Sequence, residues 1–542
     1  MDLVEQTLRD IGPCISTQIV EVLVTAHGLT PSAARQRVSR NRTVKRLAFL
    51  PFPRNARFVY LQSDYGAPEF WQALTAALLA HSIAHGGALA ALMARGGLMP
   101  RAHFDIACGA PMAQRRHLSP KSILERLERA NLVQSVEIAG VGTCVQLSHK
   151  VAAESHEVSK MRARLQTEAV LLLAIKAWAR NLGLVSYDKV ALRDEDPNGT
   201  QPKVGTFVWD LTAPSYLAPM IDWLASGPKP GFFACDVLLG TTLTAVHLKP
   251  FITKCQTLRS LKRVGRCLQL FVAEGYEAEA FKLAKGAGVI PATLASLFGD
   301  DVAKALAELA DLLSETFLRP DTLERLDVVF SRLGKIEGVA INLRGALFEF
   351  VVAEVVRRSS VSSDVRMNEV FRDDRGHPAE VDVVVVRRNH SVRFIECRGY
   401  KPGGTVPHEL VERWLDNRIP LLREAALAER FWRGHDLVFE FWTTGQLSQE
   451  SSAKFAQAQA TVRPGKYALK LVDGAGLKDL AKSIGDAGLL KTLNEHFFDH
   501  PLQTVDRELQ KRKMRDRVRG KSQLPKREGP DMDTFGFVNE QE

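Results

Sequence analysis

Residues 379–399 read AEVDVVVVRRNHSVRFIECRG, and this stretch decides the fold. Two valine-rich runs flank a short polar segment, a pattern typical of a β-hairpin. Around it, between residues 343 and 485, the periodicities follow the order helix, three strands, helix, strand, helix, strand, helix. That order predicts a mixed β-sheet with flanking helices, and we expect a multidomain protein of the α/β class.

The predicted hairpin brings two acidic residues together. A turn at residues 388–390 pairs Asp382 with Glu396 and Glu380 with Arg398. Side chains directly opposite each other in a sheet have Cβ atoms about 4.5–5.5 Å apart, and two like charges there weaken the pairing. A positive charge is therefore expected between Asp382 and Glu396. Mg²⁺ or Mn²⁺ suits such oxygen ligands, so we predict that these two acids hold a metal ion.

A third acid, Glu349, lies in the apolar helical segment GALFEFVVAEVV. Burying an unpaired carboxylate there would cost several kcal/mol, so a partner is expected. The alternative is that Asp382 and Glu396 are ordinary polar residues at a sheet edge, neutralised by Arg393 and Arg398, with Glu349 paired to an arginine. Three acids in helix, strand, strand order favour the catalytic interpretation.

The segment 343–475 resembles the PD-(D/E)XK restriction-endonuclease-like superfamily, and within it the Mrr-like methyl-directed restriction enzymes. The family pattern is a helix with an acid, a strand with Asp, and a strand with Glu or Gln followed by x-Lys. Glu349, Asp382 and Glu396 match the acids of that pattern. The resemblance implies a metal-dependent DNA endonuclease that hydrolyses phosphodiester bonds, acting in defence against foreign DNA.

The chain departs from the family pattern at the lysine, which is Arg398 here. A guanidinium can stabilise negative charge on a phosphate but cannot act as a base. Lys401, five residues after Glu396, could substitute for the missing lysine. The departure leaves a second hypothesis open, a catalytically inactive DNA-binding or assembly protein that keeps the nuclease fold.

Residues 151–300 also alternate between helix and strand and resemble the later block. An internal duplication is predicted. The family pattern would fall on Glu168, Asp236 and His247-Leu248-Lys249, with His where an acid is required. We therefore interpret this block as a degenerate copy, a scaffold or a DNA-binding surface. Trp209-Asp210 is interpreted as a buried aromatic residue beside a turn.

Residues 1–66 predict a winged helix: three helices followed by a β-hairpin. In that geometry the third helix enters the major groove and the hairpin touches phosphate. The basic residues expected to face DNA are Arg35, Arg37, Arg40, Arg54 and Arg57. The alternative is a solvated basic helix in a protein-docking module.

Residues 67–150 predict a connecting helix and a second winged helix. The segment SPKSILERLERANLV resembles a recognition helix, and VEIAGVGTCVQLS has the pattern of a strand, a turn and a strand. Lys121, Arg126 and Arg129 are its candidate phosphate contacts. Exposed charge is expected on any surface helix, so this prediction is weaker than that for the first unit.

The composition fits a DNA-binding protein. A net charge of +10 favours a polyanionic partner, because a basic surface releases counterions from phosphate. Seven scattered cysteines without a C-x-x-C pair predict reduced, mostly buried thiols. The N-terminal segment lacks the pattern of a signal peptide, and no apolar run is long enough to cross a bilayer, which together predict a cytoplasmic protein without membrane contact.

Two segments complete the predicted organisation. A helical connector is expected at 301–340, before the nuclease-like domain at 341–500, and a basic tail at 501–542 includes KRKMRDRVRGK. No nucleotide-binding glycine pattern is present, so the chain itself is not expected to use ATP. A third hypothesis makes the winged helices docking modules for a partner ATPase or another defence-system subunit. A homodimer is also compatible with the sequence.

Overall fold

The computed structural model describes most of the chain. The described residues are 2–47, 49–148, 155–196, 199–224, 227–261, 264–315, 318–336, 338–359, 363–373, 376–400, 404–462 and 465–498. The predictions made for Lys401 and for the basic tail at 501–542 fall outside these residues.

The N-terminal unit contains three helices and a small antiparallel sheet. Its elements are α1 (Leu3–Ile11), β1 (Cys14–Ile15), α2 (Ser16–Thr25), α3 (Pro31–Arg40), β2 (Lys45–Arg46) and β3 (Phe58–Tyr60), with sheet order β1-β3-β2. Helix α3 begins as its sequence predicts, because the Thr30 hydroxyl accepts a 3.3 Å hydrogen bond from the Ala33 N–H and Pro31 follows the cap.

The second unit repeats that arrangement after one additional helix. Its elements are α4 (Pro68–His81), α5 (Ile83–Ala94), β4 (Leu98–Pro100), α6 (Arg101–Ala107), α7 (Pro120–Arg129), β5 (Val133–Ile138) and β6 (Gly142–Leu147), with sheet order β4-β6-β5. Both units thus place a helix, a strand, two helices and a hairpin in the same order, with the last strand in the middle of the sheet. The elements agree with the predicted plan, while the winged-helix assignment remains a prediction.

Helices α4 and α5 are the most apolar helical segments near the N-terminus. Of the helices that the structure describes, none alone has the length and apolar character needed to cross a bilayer. The α4–α5 pair passes that test only in combination, with a bend of 115° between the two helices.

The third unit is built around a five-stranded mixed sheet. Its elements are α8 (Ser155–Asn181), β7 (Ala191–Leu192), β8 (Lys203–Val204), β9 (Phe207–Val208), β10 (Leu211–Ser215), β11 (Asp222–Leu224), β12 (Gly227–Lys229), β13 (Gly231–Leu243), α9 (Ala245–Arg259), β14 (Cys267–Tyr276), α10 (Ala278–Gly286), β15 (Ile290–Thr293) and α11 (Leu294–Phe298). The sheet order is β15-β14-β13-β10-β7.

The connecting segment is helical, as predicted, and forms α12 (Asp300–Ser314) and α13 (Thr322–Leu333). Its apolar faces are buried in a core that also contains residues of both α/β units. Leu172, Leu309, Phe330 and Val351 all belong to this one cluster. The connector is therefore part of the packed structure and joins the two units through a common core.

The fourth unit carries the hairpin from which the fold was predicted. Its elements are α14 (Val339–Ser359), β16 (Ser363–Arg372), β17 (Pro378–Arg387), β18 (Ser391–Arg398), β19 (Thr405–Val406), α15 (His408–Arg413), α16 (Ile419–Ala428), β20 (Asp436–Thr443), β21 (Gln446–Leu447), α17 (Gln449–Thr461), β22 (Ala468–Val472), α18 (Gly474–Ile484) and α19 (Ala487–Thr492). The sheet order is β16-β17-β18-β20-β22. A π-helical turn, Trp414–Arg418, separates α15 from α16.

The two five-stranded sheets have the same topology. In each, the first three strands are antiparallel neighbours and the last two are added in parallel. A long helix precedes each sheet, α8 in the third unit and α14 in the fourth. This shared order and direction is what an internal duplication would produce.

Candidate functional site

The predicted hairpin forms with the predicted register. Arg387 pairs with Ser391 across a three-residue turn, and the antiparallel pairs continue to Val383 and Ile395. One residue further, the Asp382 carboxylate Oδ2 accepts a 2.6 Å hydrogen bond from the Cys397 N–H. The carboxylate thus bonds to the backbone of β18 where the described pairing ends.

A protein side chain supplies the positive charge expected between the two acids. Arg398 Nη1 lies 3.2 Å from Asp382 Oδ2, and Arg398 Nη2 donates to Glu396 Oε1. Arg418 Nη1 also bonds to both oxygens of Glu396, at 2.9 and 2.8 Å. Asp382 and Glu396 are buried, so these contacts offset a large desolvation cost. Arg393 instead pairs with Glu440, outside this site.

Local structure explains how these side chains are positioned. Gly399 follows Arg398, and a Cβ there would collide with the carbonyl group of Arg344 on α14, so the end of β18 can lie directly against that helix. Arg418 ends the π-helical turn, just before Pro420. Proline lacks an N–H and disturbs the regular ladder of a helix, and π turns often occur at functional sites.

Two further acids approach this pair, Glu349 from α14 and Glu380 from β17. Burial, Asp382 and Glu380 raise the pKa of Glu349 well above its ordinary value. Glu380 forms an ion pair with Arg162 of α8, and burial raises its pKa to about 7. Glu396 has a raised pKa as well, through burial and then through Asp382. The site therefore concentrates more negative charge than its surroundings readily accommodate.

These residues line one cleft of about 880 Å³. Its walls come from α6, the β5–β6 turn, α8, α12, α14, β16, β17, β18, α15 and the π-helical turn. The charged lining residues are Arg101, Arg162, Asp194, Glu349, Glu380, Asp382, Arg398, Arg413 and Arg418. The sequence prediction did not include Arg162, Arg413 or Arg418, because they reach the cleft from helices outside the family motif.

A divalent cation at this site would need carboxylate oxygens that are not already engaged by hydrogen-bond donors. Within the described residues, no group of three or more His, Cys, Asp or Glu residues has a metal-binding arrangement. Within the same residues, Glu349 and Asp382 Oδ1 have no hydrogen-bond donor, whereas Glu396 is engaged by two arginines. Hard oxygen donors of this kind fit Mg²⁺ or Mn²⁺. The pair with available oxygens is therefore Glu349 and Asp382, rather than the predicted Asp382 and Glu396.

The third unit contains a second acidic cluster at the corresponding positions of its sheet. Leu211 pairs with Cys235 as Val383 pairs with Ile395, so Asp210 and Asp236 correspond to Asp382 and Glu396. The Asp210 carboxylate accepts a 2.7 Å hydrogen bond from the Val237 N–H, which repeats the bond between Asp382 and Cys397.

The register corrects part of the predicted degenerate motif. Asp236 lies on β13, but His247-Leu248-Lys249 lies in the first turn of α9 rather than on a strand. The Thr244 hydroxyl caps that helix by accepting from the His247 N–H at 3.2 Å. Leu238 occupies the position equivalent to Arg398, two residues after the acid. Asp210, interpreted from the sequence as lying beside a turn, is an acid of this cluster.

Internal cations pair with every acid of this second cluster, and Arg164 Nε lies 3.9 Å from Glu168 as a further positive charge. Arg193 bonds to Glu168 at 2.6 Å and to Asp210 at 2.8 Å, and Lys254 Nζ lies 2.6 Å from Asp236. The side chains of the three acids, Arg193 and Lys254 are all less than 5% exposed. The cluster is therefore closed to solvent, unlike the one in the fourth unit.

Three of the five predicted DNA contacts of the N-terminal unit share a groove. Arg35, Arg54 and Arg57 line it together with Arg46, between α2, α3 and the β2–β3 connection. Arg37 does not; its Nε lies 3.3 Å from Asp2, which caps α1. Arg40 is exposed but is not among the lining residues.

The predicted contacts of the second unit are less clearly grouped. All three lie on α7, whose apolar side is buried. Lys121 is exposed and Arg126 is half-buried. The Arg129 guanidinium lies 4.6 Å from the ring centre of Phe49 in the first unit, so part of its charge is used in a cation–π contact between units.

All seven cysteines are free thiols, and six are buried, as predicted. No family model matches the chain, and no curated protein matches it either.

Proposed function

We propose that this protein is a metal-dependent DNA endonuclease with its active site in the cleft beside β17 and β18. The observation that carries the proposal is the arrangement of Asp382, which accepts the Cys397 N–H and lies beside Glu349, Glu396 and two arginines. Acids with unpaired oxygens beside fixed arginines suit phosphoryl chemistry, in which catalysis consists mainly of positioning and charge stabilisation.

The residues of the cleft have distinct proposed roles. Glu349 and Asp382 would hold Mg²⁺ or Mn²⁺. When bound, the ion would supply Lewis-acid stabilisation of charge on the phosphate. Arg398 and Arg418 donate hydrogen bonds in a planar geometry that matches phosphate oxygens, and they orient Glu396. Arg398 remains protonated, because Asp382 and Glu396 raise its pKa even though burial opposes the charge.

The N-terminal groove is the proposed duplex-binding surface. Its exposed arginines Arg35, Arg54 and Arg57 would contact phosphate, which contributes most of the affinity of such interfaces. The winged-helix interpretation, the role in defence and the partner ATPase remain proposals of the same kind, supported by topology and by the sequence resemblance.

A second candidate function is a non-catalytic DNA-binding or assembly protein. One observation favours it: Arg398 and Arg418 already neutralise Glu396, much as Arg193 and Lys254 neutralise the closed cluster of the third unit. If these arginines keep their positions, they already offset the negative charge of the acids, and a metal ion would add less stabilisation.

Cleavage of circular DNA distinguishes the two functions. The parent and Asp382→Asn are incubated with supercoiled plasmid and with circular single-stranded DNA, in Mg²⁺, Mn²⁺ or EDTA. A matched control is Asp364→Asn, which removes an exposed acid of β16 that pairs with Arg366. The endonuclease proposal expects metal-dependent cleavage by the parent and the control but not by Asp382→Asn. DNA binding by the parent without any cleavage would support the second function.

A further inference from the structure

We infer that the cleft accepts a single strand of DNA, or a frayed strand end, in preference to an intact duplex. This inference rests on the proposed function, because it names the form of the substrate for the same site. Three features of the cleft support it: a turn on one side, here called the roof, the contacts that hold this turn, and the volume of the cleft.

The roof is the β5–β6 turn of the second unit, residues 139–142. Gly140 has a φ of +74°, and a Cβ there would lie 2.5 Å from Glu380 Oε2. Glycine thus permits the turn to approach the acidic residues more closely than another side chain would allow. Gly140, Val141 and Gly142 line the same cleft as Asp382 and Arg398.

Buried contacts of α8 hold the roof in place. Arg162 donates both to the Ala139 carbonyl in the turn and to Glu380 on β17. The Arg162 and Glu380 side chains are only 15% and 12% exposed. Two residues further, Arg164 donates to the carbonyls of Arg95 and Leu98 at 2.7 and 3.2 Å, which fastens the same helix to the second unit.

The volume of the cleft suits a few nucleotides. Pockets of roughly 300–1,000 Å³ enclose ligands of drug size, and the 880 Å³ cleft lies in that range. A duplex is much larger than one strand, so we expect the β5–β6 turn to hinder the approach of an intact duplex to the acids more than that of a separated strand.

The lining supports binding through the DNA backbone. Arg413, which forms no ion pair within the described residues, would attract phosphate, whereas the other four lining arginines are paired with acids. Apolar side chains such as Val141, Leu165 and Leu313 offer contact surface for bases. Among the described residues that line the cleft, none is Phe, Tyr or Trp, so strong base stacking is not expected. Binding should therefore depend on salt through few phosphate contacts and only weakly on sequence.

Binding can be measured without catalysis by using the full chain with Asp382→Asn. Fluorescence anisotropy compares a labelled oligo-dT strand with a blunt hairpin duplex in EDTA. Adding Arg413→Ala removes an exposed arginine of the cleft that forms no ion pair within the described residues. The matched control is Arg433→Ala, an exposed arginine that is not a lining residue.

We expect Arg413→Ala to weaken single-strand binding at least five-fold and to change duplex binding by less than two-fold, while Arg433→Ala changes neither. Equal loss of single-strand and duplex binding on Arg413→Ala would overturn the inference, and so would no loss of either. The cleavage assay on the parent distinguishes a failure of the single-strand inference from a failure of the proposed nuclease function. Faster cleavage of blunt duplex than of single strands overturns the inference and leaves the nuclease intact, whereas selective loss of single-strand binding without cleavage supports the inference and refutes the nuclease.

Discussion

Replacing Arg398 by Ala tests whether an arginine and a metal ion compete for the same acids. Arg398 joins Asp382 and Glu396, and removing one partner of a buried ion pair costs about 3–5 kcal/mol. The Arg398 side chain is 25% exposed, so water compensates partly and the lower end, about 3 kcal/mol, is expected. For a domain of this size, that loss corresponds to a fall in Tm of roughly 6–12 °C.

The same substitution frees carboxylate oxygens for a cation. Mn²⁺ at a hundred times its Kd would stabilise the variant by about 2.7 kcal/mol and recover most of the loss. Thermal unfolding of the parent and the variant, with and without Mn²⁺, measures both effects. We expect a larger Mn²⁺-induced rise in Tm for Arg398→Ala than for the parent.

Arg393→Ala is the matched control for this experiment. Arg393 is 22% exposed and pairs with the buried Glu440 on the same sheet, away from the cleft. It should lower Tm by a similar amount without gaining stability from Mn²⁺. If the two variants respond equally to Mn²⁺, the acids beside Arg398 do not form a cation site. In the cleavage assay, Arg398→Lys should lower the cleavage rate if the parent is active, because its active site is then adapted to Arg. If the parent is inactive, the same substitution should introduce cleavage.

Three further predictions concern the rest of the chain. Replacing Arg35, Arg54 and Arg57 together by Ala should reduce the log–log salt slope of duplex binding by up to about 0.9 per lost phosphate contact; an unchanged slope in an anisotropy titration would assign the groove to another partner. Lys254→Met should cost about 3–5 kcal/mol in urea unfolding, because it leaves a buried carboxylate unpaired; a loss below 1 kcal/mol would contradict the closed cluster. Burial lowers the pKa of His85 to about 4, so on acidification this histidine gains its proton in the unfolded chain before it does in the folded protein. The free energy of unfolding should therefore fall as the pH drops from about 6.5 to 4. His85→Gln should flatten that fall, and parallel curves of urea midpoint against pH would refute the assignment.

The hairpin and its acids were predictable from the sequence because short-range geometry determines them. A three-residue turn sets the register of both strands, and alternation along each strand then determines which side chains share a face. The pairs from Arg387 and Ser391 to Val383 and Ile395 therefore appear as expected.

The partners of those acids were less predictable, because they come from distant parts of the chain. Arg162 precedes its partner Glu380 by 218 residues, and nothing in its local sequence indicates that contact. The sequence places His247 on a strand, because its apolar neighbours fit both the helical and the strand period. The Thr244 cap and the helix that follows it put His247 in the first turn of α9 instead. Arg37 is predicted to face DNA, and the local sequence gives no sign that its guanidinium also lies 3.3 Å from Asp2, the cap of α1.

The sequence by itself thus determined the order of elements, the hairpin register and the positions of Glu349, Asp382 and Glu396 along the chain. Only the tertiary structure decided which charges surround these acids, which of their oxygens remain unpaired, and that a turn of another unit lines the cleft. The physical reason is range: turn length and side-chain alternation act over a few residues, whereas burial and ion pairing depend on which distant segments pack together.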